Sequence, residues 1–292
     1  MGKSLATDFP VARAIFEQAG DALGISISKL CFEGPEQDLK LTENTQPALL
    51  TVSTAAFAVL KQEGLVPDYV AGHSLGEYSA LVAAGCLAFT DAVRLVRKRG
   101  QYMQQAVPAG VGAMAAILKL PEGKLDEVLA QSAQGEIVSA ANLNSPDQVV
   151  IAGHAAAVKR AMEAAKVAGA KRAILLPVSA PFHCELMRPA QQRLSVDLEV
   201  TVFAELRYPL VNNWRAREIR TGNDARIGLF EQVPNPVRWS ESMNYLAAQG
   251  VDRYIEAGPG TVLTGLVRVI LPGAKCISFG ESGDLEKIRE SA

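Results

Sequence analysis

The sequence predicts an α/β protein with a large domain built on a mainly parallel sheet and a small inserted domain. Short apolar strands alternate with helices toward both ends of the chain, a pattern typical of parallel sheets covered by helices. Residues 112–176 follow a different order: strand, helix, strand, strand, helix, strand. We therefore divide the chain into a large domain, residues 1–108 and 180–292, and a small domain, residues 109–179.

The composition is that of an ordinary globular protein and excludes several functional classes. The 292 residues are 49% hydrophobic and 21% charged, and the net charge of −2 offers no basic field for nucleic acid. The 4 cysteines form no C-x-x-C pair, which argues against a zinc cage or a disulfide framework and favours reduced thiols in the cytoplasm. No apolar run is long enough for a membrane span.

Besides the helix that follows the serine motif described below, three helices are predicted in the first part of the chain. One runs from Asp8 to Gly24, with a proline just inside its start and a glycine at its end. A second, from Gln46-Pro47 to Leu60, is nearly uncharged, which predicts deep burial. Thr90 is predicted to cap the third, which ends near Ala106.

The small domain is predicted from a compact alternation of strands and helices. Its strands are predicted at 112–118, 136–142, 148–152 and 172–176, and its helices at 121–134 and 154–168. This order, over about 70 residues, is the split βαβ arrangement of ferredoxin-like modules.

The last part of the chain returns to alternation. Strands are predicted near 210–211, at 252–256 and at 275–279, and helices near 224–232, at 239–248 and after Gly258-Pro259-Gly260. This alternation extends the mainly parallel sheet of the large domain.

A G-x-S-x-G motif lies at the predicted strand-to-helix turn of the large domain. The apolar run Tyr69-Val70-Ala71 leads into Gly72-His73-Ser74-Leu75-Gly76 and then into a helix of small residues. In that context the serine is held exposed on a tight turn, and the N–H of Leu75 can donate to an oxyanion. The alternative is a glycine-rich connector with a solvated serine.

The chain has 3 histidines that could activate this serine. His73 is the neighbour of Ser74, so its side chain should diverge from the hydroxyl. His154 falls where a small-domain helix begins and is predicted to be a surface or capping residue. Elimination favours His183 as the base, although a satisfied structural histidine is the alternative. No aspartate is obviously placed to orient it.

Arg99 is a candidate substrate-binding residue. Its spacing from Val96 and Met103 places it on the buried stripe of its helix. A buried guanidinium needs a carboxylate partner, which could be an internal acid or the carboxylate of a substrate. In the second case, the arginine suits a dicarboxylic acyl group.

An ordered series of motifs over nearly the whole chain resembles the malonyl-CoA:acyl carrier protein transacylase family. The motifs are Gly72-His73-Ser74-Leu75-Gly76-Glu77-Tyr78-Ser79-Ala80-Leu81, Arg99-Gly100, Gly112-Ala113-Met114, Asn142-Leu143-Asn144-Ser145-Pro146, His183, Asn212-Asn213, Gln232, Asn235-Pro236-Val237-Arg238-Trp239 and Gly258-Pro259-Gly260. The resemblance implies an α/β hydrolase-like core with a ferredoxin-like insert. It also implies Ser74 as the nucleophile, His183 as its base, Arg99 as the group that holds the malonyl carboxylate, and Gln232 as the residue whose main-chain carbonyl orients the histidine.

The activity that this resemblance implies is transfer of a malonyl group from malonyl-CoA to the phosphopantetheine thiol of holo acyl carrier protein. The group would pass through a malonyl-serine and supply fatty acid biosynthesis. We expect a cytoplasmic monomer with no nucleic-acid or membrane partner, and no metal or organic cofactor, because a thioester is already activated. Six basic residues are candidates for contact with the acidic carrier protein: Lys159, Arg160, Lys166, Lys171, Arg172 and Arg188.

Two other functions are consistent with the residues. An esterase or thioesterase of the α/β-hydrolase type shares the serine motif but needs an acid between the serine and a later histidine. Asp91, Asp126 and Asp147 are available there, and none ends an obvious strand. The other is a catalytically impaired module that binds carrier protein or CoA.

One departure from the family pattern carries an expectation. Family members have a strand and an F-P-G-Q-G-S-Q loop ahead of the segment that matches Met1-Gly2-Lys3, and the first glutamine of that loop supplies a second oxyanion N–H. Loss of one such donor costs about 10²–10³ in turnover. We therefore expect this chain to be slower than a version extended upstream.

Overall fold

The structure, a computed structural model, describes residues 1–178 and 180–290. The predicted domain boundary at residue 179 lies outside the described residues. The helices are α1 (Lys3–Asp8), α2 (Pro10–Leu23), α3 (Ile27–Glu33), α4 (Glu36–Leu39), α5 (Thr42–Gln62), α6 (Leu75–Ala83), α7 (Phe89–Gln105), α8 (Leu125–Ala133), α9 (Ala155–Val167), α10 (Arg188–Val200), α11 (Gly222–Gln232), α12 (Trp239–Ala248), α13 (Val262–Ile270) and α14 (Leu285–Glu290). The strands are β1 (Val70–Ala71), β2 (Gly112–Leu118), β3 (Val138–Ser145), β4 (Gln148–His154), β5 (Arg172–Leu175), β6 (Leu210–Val211), β7 (Glu218–Ile219), β8 (Arg253–Ala257) and β9 (Lys275–Phe279).

The strands outside residues 112–175 form two short sheets. In the first, with the order β1-β6-β7, β1 pairs parallel with β6, and β7 pairs antiparallel with β6. In the second, β8 and β9 pair in parallel. The overall α/β class is confirmed, but the strands are divided between a mixed sheet and a parallel pair, where the sequence predicted one mainly parallel sheet.

The strands of residues 112–175 form a separate antiparallel sheet with the order β3-β4-β2-β5. Helices α8 and α9 cover one face, where Ala115 and Ile151 are buried. The other face, which carries Met114 and Ala152, packs against Cys184 in the segment that follows the sheet. The elements follow the predicted order of strand, helix, strand, strand, helix, strand.

Several predicted boundaries are wrong. Helix α7 begins at Phe89, and the residue before it, Ala88, has an extended backbone, so Thr90 lies inside the helix and does not cap it. Helix α5 begins at Thr42, one turn before the predicted start. Strand β3 extends to Ser145 because its polar residues continue the ladder with β4.

Helix α5 is the centre of the large core. It packs against α2, α6 and α7, and Leu50, Val52 and Ala56 on it are completely buried. This confirms the deep burial that its uncharged sequence predicts, since a helix that is apolar around most of its surface is stable only inside a core. Helices α3 and α10, which also contribute buried residues, were not predicted.

A cavity of about 420 Å³ lies between the two short sheets. Residues of β1 and β8 line it, and each of these strands is the edge of its own sheet. At the cavity, the buried atoms Ser79 Oγ, Trp239 Nε1 and Thr264 Oγ1 have no hydrogen-bond partner among residues 1–178 and 180–290. Within the described residues, no helix has the length and apolar character needed to span a membrane.

Candidate active site

The turn between β1 and α6 holds Ser74 in a strained conformation. Its backbone has φ 51° and ψ −104°, outside the regions that L residues favour. A Cβ atom at Gly72 would lie 2.0 Å from the carbonyl carbon and oxygen of Gly76, so only glycine permits this close approach. The predicted sequence of strand, sharp turn and helix is present, and the turn presents the serine at the amino end of α6.

The Ser74 hydroxyl lies beside the imidazole of His183. The distance from Ser74 Oγ to His183 Nε2 is 2.7 Å, and His183 Nδ1 lies 2.9 Å from the main-chain oxygen of Gln232. A carbonyl can only accept, so Nδ1 carries the proton and donates it there, and Nε2 is free to accept from the serine. The imidazole is only 3% exposed. Burial and the charge of Arg99 lower its pKa to about 3, so the ring is neutral at physiological pH.

Arg99 points its guanidinium at the same hydroxyl from helix α7. Its Nη2 donates to Ser74 Oγ at 3.1 Å and to Gln232 Oε1 at 2.9 Å, and its Nη1 donates to Gln46 Oε1 at 2.7 Å. The residue is 2% exposed. No Asp or Glu of residues 1–178 and 180–290 forms an ion pair with it. Amide and hydroxyl oxygens hold the cation in place, so its charge is available to a ligand.

The main-chain N–H of Leu75 is the first donor of helix α6. Within the described chain it donates no hydrogen bond. An N–H at a helix amino terminus, one residue after the serine, favours negative charge beside Ser74. The position fits the oxyanion donor that the motif predicts.

Sequence reasoning missed the residues that support this turn. Asn213 accepts from Ser74 N–H at 2.6 Å and donates from Nδ2 to the carbonyl of Gly72 at 2.7 Å. Glu77 Oε2 in turn accepts from the Asn213 N–H at 3.0 Å and from Gln232 Nε2 at 2.8 Å. Burial raises the pKa of the Glu77 carboxyl to about 7.

Two signals in the sequence could have found these supporting residues. Glu77 is the one charged residue in the helix Leu75–Ala83. Asn213 follows β6, and the carboxyl ends of the parallel strands β1 and β6 meet at the same edge of the sheet. Gln46, which binds Arg99, carried no such signal.

The other two histidines lie away from the serine hydroxyl. His73 Nε2 is 2.8 Å from Asn144 Oδ1, and its ring lies 5.7 Å from that of Trp239, so it diverges as predicted. His154 precedes helix α9, but its side chain does not cap the helix and instead accepts from the N–H of Ile137 at 3.0 Å. His154 thus occupies the predicted N-cap position of α9 and is half-buried, but its side chain binds the sheet and not the helix.

None of the aspartates considered for a hydrolase contacts His183. Asp91 pairs with Arg94, and Asp147 pairs with Lys119. The Nδ1 position that an acid would occupy is taken by a carbonyl. The described part of the chain has no group of three or more His, Cys, Asp or Glu side chains that could hold a metal ion.

Comparison with known proteins gives one consistent result. The family described as "Acyl transferase domain" matches residues 1–274. The malonyl CoA-acyl carrier protein transacylase of Escherichia coli K12 is 49% identical over 91% of this chain and 87% of its own length, and that of Bacillus subtilis strain 168 is 47% identical over 98% and 90%.

Solved structures give the same result. An acyl carrier protein S-malonyltransferase from Vibrio cholerae has a TM-score of 0.97 at 45% identity, covering 99% of this chain and 94% of that one. A malonyl-transacylase in complex with a type II polyketide synthase acyl carrier protein also has a TM-score of 0.97 at 45% identity, covering 100% and 95%. The chain therefore belongs to the acyl transferase domain family, among the malonyl CoA-acyl carrier protein transacylases.

Proposed function

We propose that this chain transfers a malonyl group from malonyl-CoA to the phosphopantetheine thiol of acyl carrier protein, a step of fatty acid biosynthesis. One observation carries the proposal. Ser74 Oγ lies 2.7 Å from His183 Nε2 and 3.1 Å from Arg99 Nη2. A base and a fixed cation thus share one hydroxyl, which is the arrangement needed to acylate it with a group that carries its own carboxylate.

The first half-reaction forms the acyl-serine. Ser74 Oγ attacks the thioester carbon while its proton passes to His183 Nε2. The Leu75 N–H donates to the oxyanion of the tetrahedral intermediate. The carbon–sulfur bond then breaks, and the proton on the imidazole leaves with the CoA thiolate. Malonyl-Ser74 and free CoA are the products.

The second half-reaction reverses these steps with a different thiol. The phosphopantetheine thiol of the carrier gives its proton to His183 and attacks the ester carbon. The ester bond to Ser74 breaks, the serine oxygen recovers the proton, and the malonyl thioester of the carrier leaves. The kinetics should therefore be of the ping-pong type. No step calls for a metal or an organic cofactor, because a thioester is already an activated acyl donor.

Arg99 gives the site its preference for malonyl groups in this proposal. Its guanidinium is buried and lacks a carboxylate from the described chain. A malonyl carboxylate would supply that partner as a charge-assisted pair, whereas an acetyl group would leave the cation unpaired.

The carrier protein would meet the basic residues of the small sheet and its helices, together with Arg188 at the start of α10. Of the six predicted, Arg160, Lys166 and Arg188 pair with neighbouring glutamates. Within the described residues, Lys159, Lys171 and Arg172 make no ion pair, which leaves their charge free for an acidic partner. A monomeric state and a cytoplasmic location stay predictions.

We assign the architecture that accompanies this function to a hydrolase-like core with a ferredoxin-like insert. The antiparallel order β3-β4-β2-β5 with two helices on one face supports the insert, residues 109–179. The serine turn between β1 and α6 supports the hydrolase-like core, residues 1–108 and 180–292.

Intact-mass analysis after mixing the protein with malonyl-CoA tests the function. Transfer predicts a stable adduct of one malonyl group, absent in Ser74→Ala and discharged by holo acyl carrier protein. Rapid release of free malonate would identify a thioesterase. No adduct and no release, with binding of CoA retained, would identify a binding module.

A further inference from the structure

The mechanism above leaves one buried acid without a role. Glu77, in the first turn of α6, is 0% exposed. No Lys, Arg or His of the described chain forms a salt bridge with it. A buried carboxyl is unfavourable unless the fold supplies it with donors, so its contacts indicate what it does there.

The first contact fixes the side-chain amide of Gln232. Glu77 Oε2 accepts from Gln232 Nε2 at 2.8 Å, and the opposite end of that amide, Oε1, accepts from Arg99 Nη2 at 2.9 Å. The same Nε2 also donates to the main-chain oxygen of Ser74 at 3.0 Å. A carboxylate oxygen accepts and a guanidinium donates, so the amide can take only one of its two orientations.

The second contact fixes the main chain at Asn213. Glu77 Oε2 accepts from the Asn213 N–H at 3.0 Å. The side chain of Asn213 then binds the serine turn on both sides, accepting from Ser74 N–H and donating to the Gly72 carbonyl. The strained backbone of Ser74, with φ 51°, thus depends on a residue that Glu77 anchors.

Through Gln232, the single oxygen Glu77 Oε2 is therefore connected to all three groups of the proposed reaction, the hydroxyl, the base and the cation. Gln232 touches Ser74 and Arg99 through its side chain, and it accepts from His183 Nδ1–H through its main chain. We propose that Glu77 is a positioning residue for the transfer, fixing Gln232 and Asn213 through its oxygen Oε2. This inference rests on the proposed function, because it concerns the alignment of the same hydroxyl, base and cation.

The proposed role requires a hydrogen-bond acceptor at the position of Glu77 Oε2 and does not require a negative charge there. Glu77 Oε1 has no hydrogen-bond partner within the described chain, whereas Oε2 serves both donors. In Glu77→Gln the amide oxygen can occupy the place of Oε2, so both donors keep their acceptor. In Glu77→Leu, which has a similar volume, both donors lose it.

The test compares these variants in single-turnover acylation by malonyl-CoA, followed by intact mass and normalised to folded protein by circular dichroism. Displacements near 1 Å at a reacting centre cost on the order of 10²-fold. We expect Glu77→Leu to acylate about 10²-fold more slowly and Glu77→Gln to recover the rate to within about tenfold. Glu241→Gln, at an exposed glutamate on α12, is the control and should react like the parent protein.

Two outcomes would overturn the inference: a folded Glu77→Leu that acylates at the parent rate, or a folded Glu77→Gln that is as slow as Glu77→Leu. Should Glu77→Leu not fold, Glu77→Asp takes its place. It keeps the charge but withdraws the oxygens by one carbon, so it should also be slow, and the parent rate would contradict the inference.

A second reagent separates this inference from the proposed function. A neutral sulfonyl fluoride reacts with an activated serine hydroxyl and needs no malonyl group. The order of rates should be the same, with Glu77→Leu slower than Glu77→Gln. If the parent protein reacts with this reagent but forms no malonyl adduct, the proposed function fails while the positioning role of Glu77 stands on the sulfonylation rates.

Discussion

At the residue scale, the arrangement of charge around Ser74 sets the chemistry. Arg99 is buried among amide oxygens, and His183 is kept neutral by burial and by the guanidinium nearby. Glu77 lies on the other side of Gln232 from Arg99. Arg99 can therefore pair with the carboxylate of a ligand, and His183 can accept a proton from Ser74. A separate prediction follows from each of these two properties.

Replacement of Arg99 by alanine should lower malonyl transfer and relax the preference for malonyl over acetyl groups. A binding site built for one polar group discriminates against analogues that lack this group by on the order of 10⁴-fold. Arg99→Ala should lose most of this discrimination between malonyl and acetyl groups. The measurement is the ratio of kcat/KM for malonyl-CoA and acetyl-CoA. Lys98→Ala, on the same helix but paired with Asp197 at the surface, is the control. An unchanged ratio in Arg99→Ala would count against the assignment.

The pH dependence of serine reactivity follows from the His183 pKa of about 3. In the proposed mechanism the neutral imidazole is the base, and its lowered pKa keeps it neutral at more acidic pH than an ordinary histidine, whose pKa is near 6.5. We expect sulfonylation of Ser74 by a neutral reagent to hold nearly constant from about pH 8 to about pH 5. Rates measured across that range check it, and an acid limb near the ordinary histidine value would contradict it.

At the element scale, the β1–α6 turn depends on one of its two motif glycines. A Cβ at Gly72 would meet Gly76 at 2.0 Å, whereas a Cβ at Gly76 would meet nothing within 4 Å. Although both belong to the G-x-S-x-G motif, only the first is required by close approach.

Gly72→Ala should therefore displace the turn and slow acylation of Ser74 by about 10²-fold or more. Gly76→Ala is the matched variant. It should keep the acylation rate near that of the parent, and it should raise the free energy of unfolding by about 0.5–1 kcal/mol because alanine favours a helix. Acylation rates and urea denaturation of both variants test this. Equal loss of activity in the two would show that the clash at Gly72 does not decide the turn.

The elements predicted from sequence differ in how well their boundaries were placed. Strand β2, strand β9 and helix α12 have the predicted limits, since each is an apolar run or stripe closed by breaking residues. The predicted range of β3, 136–142, begins and ends earlier than the observed strand, Val138–Ser145. The later residues of this strand are polar and stay in the sheet through main-chain pairing with β4. Helix α10 has no strong apolar signal of its own, so packing against α7 and α11 defines it.

At the scale of the whole molecule, the small sheet is hydrogen-bonded to the turn that carries Ser74. His73, next to Ser74, binds Asn144 of β3, and the N–H of Leu143 donates to the carbonyl of Val237. The segment after the sheet carries His183 and packs under the sheet through Cys184. The position of His183, the proposed base, therefore depends on how the small sheet packs against the large core.

The cavity between β1 and β8 predicts a contrast between two adjacent alanines. Ala83 lines the cavity, whereas Ala84 is completely buried and does not line it. Ala83→Leu should raise the free energy of unfolding by about 1 kcal/mol, since buried methylene groups stabilise by about 0.8 kcal/mol each. Ala84→Leu should lower it by about 1–3 kcal/mol through overpacking.

Urea denaturation with comparison of the m-values measures both effects. A loss of stability in Ala83→Leu equal to that in Ala84→Leu would mean that the space between the sheets does not accept a side chain.

The sequence by itself determined the α/β class and the strand and helix order of residues 112–175, and it predicted Ser74, His183 and Arg99 as site residues, because apolar periodicity and residue chemistry are local properties. Only the tertiary structure decided what holds these groups together. Gln46, Glu77 and Asn213 act through hydrogen bonds between residues up to 155 positions apart, from Glu77 to Gln232, and no local pattern encodes which distant donor will meet which acceptor. The division of the strands outside residues 112–175 into two short sheets has the same origin, since strand pairing depends on how the helices pack around the strands.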